Sequence, residues 1–335
     1  MPELRLNLIR QEWVVIAREK GKRPEDFVKV KQRKRHPEFL ETCPFCPGNE
    51  SKTPHEVYKI NDGNGWRIRV VPNRFAMLSR EGERTRINSG LKKGINGVGI
   101  QEVVIETPVH NLTTATMPIE QLKDVIQTHK NRVLEMYKDP RIEHVIIFKN
   151  HGPASGTTVE HPHSQVVGIP VTPHQIRSRV ENAMRFFYDT GDCLMCRTMS
   201  DELSDGTRIL FNTEYFMSFV PYAALSPFHI WIFPKRHSGS FADIRKEEMK
   251  DLALNLKSTM TMLYYGLAYP DFNYIIRSGK PGHADSEFIH WYLSIVPRVV
   301  TASGFELGSG MYINPLVPEM AAEFLKNVRI HENER

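Results

Sequence analysis

Nothing in these 335 residues has the length of a membrane span: no apolar stretch approaches about eighteen residues, and no run of signal-peptide type opens the chain. A secreted or membrane-spanning protein is therefore disfavoured, no membrane partner is expected, and a cytoplasmic location is. Cysteine is scarce, at four residues. A chain of this length builds an ample core without covalent staples, so a disulfide framework is not expected either. The net charge is only +5. The basic runs, Lys29–Arg35 and Arg80 to Lys93, lack the interleaved aromatics of single-strand binders. No nucleic-acid partner is expected from them, although a local positive field suits a phosphate-bearing small substrate. A Ser-His-Asp order, a Walker loop and a carboxylate cluster are all missing, which removes the commonest hydrolase and nucleotide-loop chemistries.

What the chain does have is concentrated. All four cysteines fall in two Cys-x-x-Cys pairs, Cys43/Cys46 and Cys193/Cys196. Two intervening residues let both thiolates of a pair converge on one ion, and zinc prefers four tetrahedral nitrogen or sulfur ligands. A thioredoxin-like redox pair is the main rival, but it needs a helix start after a strand. Cys43-Pro-Phe-Cys46-Pro-Gly48 reads instead as a turn.

The organisation along the chain is repeated. Glu102–Glu106 reads as a strand, Pro118 to Tyr137 as a helix with Leu122, Val125, Ile126, His129, Val133 and Met136 on one face, and His144–Phe148 as a strand. In the second half Phe228–Phe233 is a strand, Asp243 to about Gly266 a helix begun by an aspartate cap, and Asn273–Arg277 a strand. Residues 81–98 read as a surface loop. Each half closes on a similar strand, His163–Pro170 and His290–Pro297. His110 precedes His163 by 53 positions and His237 precedes His290 by the same number, which sets His110 on His237 and His163 on His290. Such a repeat predicts two copies of one unit, a sheet with helices against it, divided as 1–172 and 173–335.

For the first metal site the separated ligands are His110 and one of His161 or His163. In an extended segment positions i and i+2 face the same way toward adjacent targets. We assign His161 to the metal and leave His163 free. For the second site the repeat nominates His237 and His290, with His229 and His283 as substitutes. In this register Phe288 stands opposite His161, so the halves cannot use identical ligand positions. Closed four-ligand sites are structural, since no coordination position remains open. Ahead of His161-Pro-His163-Ser-Gln165 runs Asn150-His-Gly152-Pro-Ala-Ser155-Gly156-Thr157-Thr158. Gly152 and Gly156 permit tight turns whose amides face phosphate oxygens, and the hydroxyls add donors. A free imidazole, one nitrogen unprotonated and the other tied by a hydrogen bond, can attack phosphorus, and Gln165 can donate to a phosphate oxygen in the transition state.

These residues resemble the galactose-1-phosphate uridylyltransferase family of the histidine-triad superfamily. The likeness is carried by Cys43-Pro-Phe-Cys46, Arg69-Val-Val-Pro-Asn-Arg-Phe75, Asn150-x-Gly152 and His161-Pro-His163-x-Gln165. The resemblance implies an α+β fold of duplicated histidine-triad units, antiparallel sheets with packed helices, usually paired as a homodimer. It implies His163 as nucleophile, Gln165 as the residue steadying the transferring phosphoryl group, and Asn150, Ser155, Thr157 and Thr158 in the phosphate loop. Asn73 and Phe75 would face the nucleoside, and Cys43, Cys46, His110 and His161 would hold the first of two zinc ions. The substrates implied are a nucleotide sugar and a sugar 1-phosphate, in galactose metabolism: uridylyl transfer to hexose 1-phosphate, ping-pong, through a covalent nucleotidyl-histidine. Cys193/Cys196 departs from the standard bacterial second site of one glutamate and three histidines. It is similar to the divergent branch that includes plant ADP-glucose phosphorylase, as is the tail Gly304–Gly310. Adenylyl transfer from ADP-glucose to phosphate is the second expectation. A zinc-stabilised nucleotide-binding protein without chemistry is the third.

Overall fold

The computed structural model describes residues 1–17, 22–28, 36–63, 65–282 and 287–329; Lys29–Arg35 and the substitute ligand His283 lie outside the described residues. The first half runs β1 (Glu3–Asn7), β2 (Glu12–Ile16), β3 (Tyr58–Asn61), β4 (Trp66–Pro72), β5 (Arg86–Ser89), β6 (Lys92–Ile95), β7 (Ile100–Ile105), α1 (Ile119–Met136), β8 (His144–His151) and β9 (His163–Ile169). The second runs α2 (His174–Thr190), α3 (Leu194–Asp205), β10 (Ile209–Asn212), β11 (Phe216–Phe219), β12 (Ile230–Pro234), α4 (Lys246–Gly266), β13 (Phe272–Arg277) and β14 (Tyr292–Pro297). It ends with α5 (Gly304–Ser309), β15 (Tyr312–Asn314) and α6 (Pro318–Lys326).

Ten strands form one antiparallel sheet in the order β10-β11-β12-β14-β13-β8-β9-β7-β4-β3. The order is a palindrome about the β13–β8 seam, where Ile275 pairs with Phe148. An approximate two-fold therefore relates β7, β8 and β9 to β12, β13 and β14. Side chains alternate across each strand. Val104, Ile147, Val166, Ile276 and Ile295 point to the face covered by α1 and α4, where they meet Leu122, Val125, Val133, Leu252, Leu256 and Leu263 in the main core. Odd-numbered residues of β9, His163 and Gln165 among them, point to the opposite face, which α2 and α3 cover on the second half-sheet. A small sheet, β1-β2-β15, ties the chain's two ends together.

Three sequence expectations change. The helix of the second half starts at Lys246, not Asp243: Asp243 closes a 3₁₀ turn, and Arg245 is the cap, its amide donating to Glu248 Oε2 at 2.7 Å. The strand expected from Phe228 begins at Ile230, because Phe228 itself sits at φ 57°, outside extended geometry. Residues 81–98 are not all loop. β5 and β6 form an exposed hairpin held by its backbone ladder, with no buried face to mark it in the sequence.

One buried ion pair fastens α1 to the sheet. Arg132 donates to both oxygens of Glu102 on β7 at 2.7 and 2.8 Å, and both residues are buried. Removing one partner leaves an uncompensated buried charge. Glu102→Leu is expected to lower unfolding free energy by about 3–5 kcal/mol in urea titration, and Glu102→Leu/Arg132→Met by clearly less.

Candidate active site and metal centres

The Cys43–Cys46 turn is closed by amides that donate to sulfur: Phe45 N to Cys43 Sγ and Leu40 N to Cys46 Sγ, both at 3.4 Å. His110 Nδ1 lies 3.5 Å from Cys46 Sγ, and His161 Nδ1 lies 3.6 Å from Cys46 Sγ and 3.7 Å from Cys43 Sγ. All four ligand atoms fall within 4.8 Å of one another, in buried residues. A tetrahedral ion with bonds of about 2.3 Å to sulfur and about 2.0 Å to nitrogen gives S···N edges of about 3.5 Å. The set fits such an ion. His161 Nε2 donates to the Thr107 carbonyl at 2.7 Å, which leaves the Nδ1 lone pair for the centre. Burial pushes the Cys43 thiol up to about 11 and the His161 imidazole down to about 4. A central cation would draw the thiol back to thiolate.

The second group, Cys193, Cys196, His237 and His290, repeats this arrangement. His237 and His290 Nδ1 stand 3.5 and 3.4 Å from Cys196 Sγ, and His290 Nδ1 stands 4.0 Å from Cys193 Sγ. His290 Nε2 is tied to the Pro234 carbonyl at 3.0 Å. Cys193 caps α3, but the element before it is helix α2, not a strand. A hydrogen bond from Cys196 lowers the Cys193 thiol's pKa. His229 lies outside this group, on the sheet face.

The correspondence of the two clusters corrects the repeat register. The rings of His110 and His161 sit 5.2 Å apart at 80°, and those of His237 and His290 sit 5.2 Å apart at 75°. His290 is thus the counterpart of His161, and the two halves use equivalent positions after all. His110 to His161 spans 51 positions and His237 to His290 spans 53. The second half is two residues longer there, so the shared spacing of 53 misaligned the last strand. The counterpart of His163 is Tyr292.

His163 is 9% exposed and lies outside the first cluster. Its Nδ1 donates to the carbonyl of His161 at 2.8 Å, so its Nε2 is the unprotonated nitrogen. Burial lowers its basicity, opposed by that hydrogen bond. Phe45 packs edge-on against the ring at 5.3 Å. A cavity of about 570 Å³ adjoins it, lined by Asn150, Gly152, Thr157, Glu160 and His161 among others. Two residues along β9, Gln165 accepts at Oε1 from Gln101 at 2.8 Å and from Asn73 at 3.3 Å. Its amide NH₂ is thereby turned away from both partners. Asn73 also accepts from the Phe75 amide at 2.9 Å, and Phe75 is 87% exposed.

Residues 1–173 match the family described as galactose-1-phosphate uridyl transferase, N-terminal domain. The ADP-glucose phosphorylase of Arabidopsis thaliana is 32% identical over 334 residues, covering 98% of this chain and 93% of that protein. The chain belongs to the galactose-1-phosphate uridyl transferase family. The Thermotoga maritima galactose-1-phosphate uridylyltransferase is 26% identical over 340 residues, with 98% and 99% of the two chains covered. The crystal structure of an Arabidopsis thaliana ADP-glucose phosphorylase with bound ADP-glucose superposes with a TM-score of 0.83 at 30% identity, covering 98% of this chain and 100% of that one. This member of the galactose-1-phosphate uridyl transferase family is an enzyme, and the family chemistry is nucleotidyl transfer.

In this uridyl transferase relative the glycine loop is less open than its sequence suggests. Gly152 and Gly156 do take φ of 81° and 89°, either side of a 3₁₀ turn. The amides of Ser155 and Gly156 donate within that turn, and the amide of Ala154 donates to Asp271 at 2.7 Å. Ser155 Oγ donates to the Gly152 carbonyl and Thr157 Oγ1 to the Val159 carbonyl. Sequence reasoning also missed the loop's tethers. Asn273 of β13 donates to Asn150 Oδ1 at 2.8 Å and to the Ser155 carbonyl at 3.0 Å. Asn273 and Asp271 come from the second half, and no local pattern signals a contact across 117 positions or more.

A Cβ on Gly152 would stand 2.2 Å from Asp271 Oδ1, at a φ that L side chains rarely adopt. Gly152→Ala is expected to lower stability by about 1–3 kcal/mol and to weaken nucleotide-sugar binding by displacing the loop. Thermal melting and ligand titration on the same variant check both.

Proposed function

We propose that the protein is an ADP-glucose phosphorylase working through a covalent adenylyl-histidine at His163. The observation that carries the chemistry is the His163 imidazole, tied at Nδ1 and outside the metal cluster, beside a nucleotide-sized cavity. In the first displacement Nε2 attacks the adenylyl phosphorus of ADP-glucose. An N–P bond forms, the bridging P–O bond breaks, and glucose 1-phosphate leaves with the bond's electron pair. Inorganic phosphate then attacks the same phosphorus, the N–P bond breaks, and ADP departs with the imidazole restored. The His161 carbonyl accepts from Nδ1–H throughout, supporting the positive charge that grows on the ring as Nε2 bonds to phosphorus. Gln165 supplies its NH₂ to a non-bridging oxygen, and Asn150, Ser155, Thr157 and Thr158 surround the phosphates from the loop. Asn73 and Phe75 face the nucleoside.

The order of the two expected substrates is reversed from the sequence reading. The 32% identity to a phosphorylase, against 26% to a uridylyltransferase, favours adenylyl transfer. The Cys₂His₂ composition of the second cluster favours it as well. Uridylyl transfer to a hexose 1-phosphate remains the second reading, supported by the His161-Pro-His163 proline. Zinc is the ion proposed for both clusters, because two thiolates and two imidazoles in a closed tetrahedron suit it. Its chemistry there is structural. We further propose 1–172 and 173–335 as the units of duplication, and a cytoplasmic homodimer as the working form. No helix of the described residues is long and apolar enough to cross a membrane.

Incubation with ADP-glucose labelled in adenine is expected to leave label on the protein, and His163→Asn to remove the label and lower turnover by more than about 10⁴-fold. Label from UDP-glucose alone would replace adenylyl with uridylyl transfer, and label from neither would end the nucleotidyl-histidine proposal. Metal analysis is expected to find two zinc ions per chain, falling to one in Cys46→Ala together with a lower melting temperature. Unchanged metal content in that variant would remove the first centre.

A further inference from the structure

The two-fold places a second pocket on the corresponding face of the other half-sheet, between the strands and α2, and no role in transfer is assigned to it. Two adjoining cavities of about 720 and about 590 Å³ share Arg179, Arg277 and Tyr292. Both exceed the cavity beside His163. Their frame is that of the first site with its residues exchanged. Arg277 of β13 pairs with Tyr292 of β14. Continuing the β8–β9 register sets Asn150 opposite His163 in the same way. Gln101 bonds Gln165 at 2.8 Å in the first half, and in the second His229 Nε2 bonds Ser294 Oγ at 2.8 Å. Tyr292 therefore replaces the imidazole, Arg277 replaces Asn150, and His229 and Ser294 replace the glutamine pair.

The replacements make this pocket cationic and leave two buried donors without acceptors, Arg179 Nε and His229 Nδ1, while Arg179 Nη1 donates to the Gln175 carbonyl at 3.2 Å. Burial and then the neighbouring Arg179 bring Arg277 down to about 10. Trp231 Nε1 donates to His229 Nε2 at 3.1 Å, so His229 carries its proton on Nδ1. That nitrogen is buried and has no partner, in a residue 3% exposed that lines the second cavity. Guanidinium and N–H donors buried without acceptors are costly until an anion supplies them.

We propose that this pocket is a second, non-catalytic ligand site in each chain that binds a phosphate monoester or inorganic phosphate through Arg179, Arg277 and the Nδ1–H of His229. Tyr292 in place of the histidine means that the ligand is held and not attacked. The proposal does not depend on which nucleotide the His163 site transfers.

Equilibrium dialysis of the full chain with glucose 1-phosphate, and separately with inorganic phosphate, tests it. The expected result is two equivalents bound per chain, falling to one in Arg179→Met/Arg277→Met, while nucleotide label at His163 is still acquired from the donor. His163→Asn is expected to keep the second equivalent even if it loses label, which separates this site from the transfer chemistry. Retention of the second equivalent with either ligand supports the phosphate site; saturation by inorganic phosphate alone identifies phosphate itself as the ligand. Should the double variant not fold, Arg277→Lys carries the test, with at least a tenfold loss of affinity at one site only. A single equivalent in the native protein, or two that both survive the arginine changes, overturns the proposal.

Discussion

The site depends on a single residue acting in two directions. The imidazole of His161 turns Nδ1 into a buried cluster with Cys43, Cys46 and His110, and ties Nε2 to Thr107. Its own carbonyl, on the other side of the backbone, accepts from His163 Nδ1. Anything that fixes the His161 ring fixes the carbonyl, and the carbonyl sets the tautomer of His163. Pro162 stiffens the peptide between them, with φ locked by its ring. The candidate metal cluster and His163, the proposed nucleophile, thus share one short strand entrance.

Duplication gave this sheet two copies of the same frame, and the copies have diverged. The first keeps the imidazole and the amide. The second keeps the metal cluster but has Tyr292 and Arg277 where His163 and Asn150 stand. The halves are also interlocked: Asp271 and Asn273 at the start of β13 hold the 150–156 loop of the other half across the seam. Beneath the sheet Lys149 is paired with Glu106 in full burial, with Tyr274 from β13 alongside. Burial raises the Glu106 pKa, and the neighbouring lysine more than offsets it. Such a polar network in a core specifies one register because each misalignment would strand a charge.

Much of the local architecture was legible beforehand. All six residues of α1 that the helical period picks out, His129 included, are buried, and Thr128 and Arg132 join them, because periodicity reports apolar burial and misses polar groups buried with a partner. The Cys-x-x-Cys turns and the His-x-His step were legible because thiol and imidazole convergence depends on two or three residues. The cap of α4 was not, since Asp243 and Arg245 both stand near a helix start and only the Glu248 contact decides between them. The β5–β6 hairpin left no trace because nothing in it is buried.

From the amino-acid order alone come the ligand chemistry, the surplus histidine and the fact of a repeat. These rest on residue type and short spacing. Tertiary structure alone settled which histidine of one half answers to which of the other, since a loop two residues longer shifts the count while the strand ladder keeps its own register. It also settled which groups from 117 positions away brace the 150–156 loop, and that two arginines on different elements line one cavity with a tyrosine. Long-range antiparallel pairing brings such residues together, and no window along the chain contains both partners.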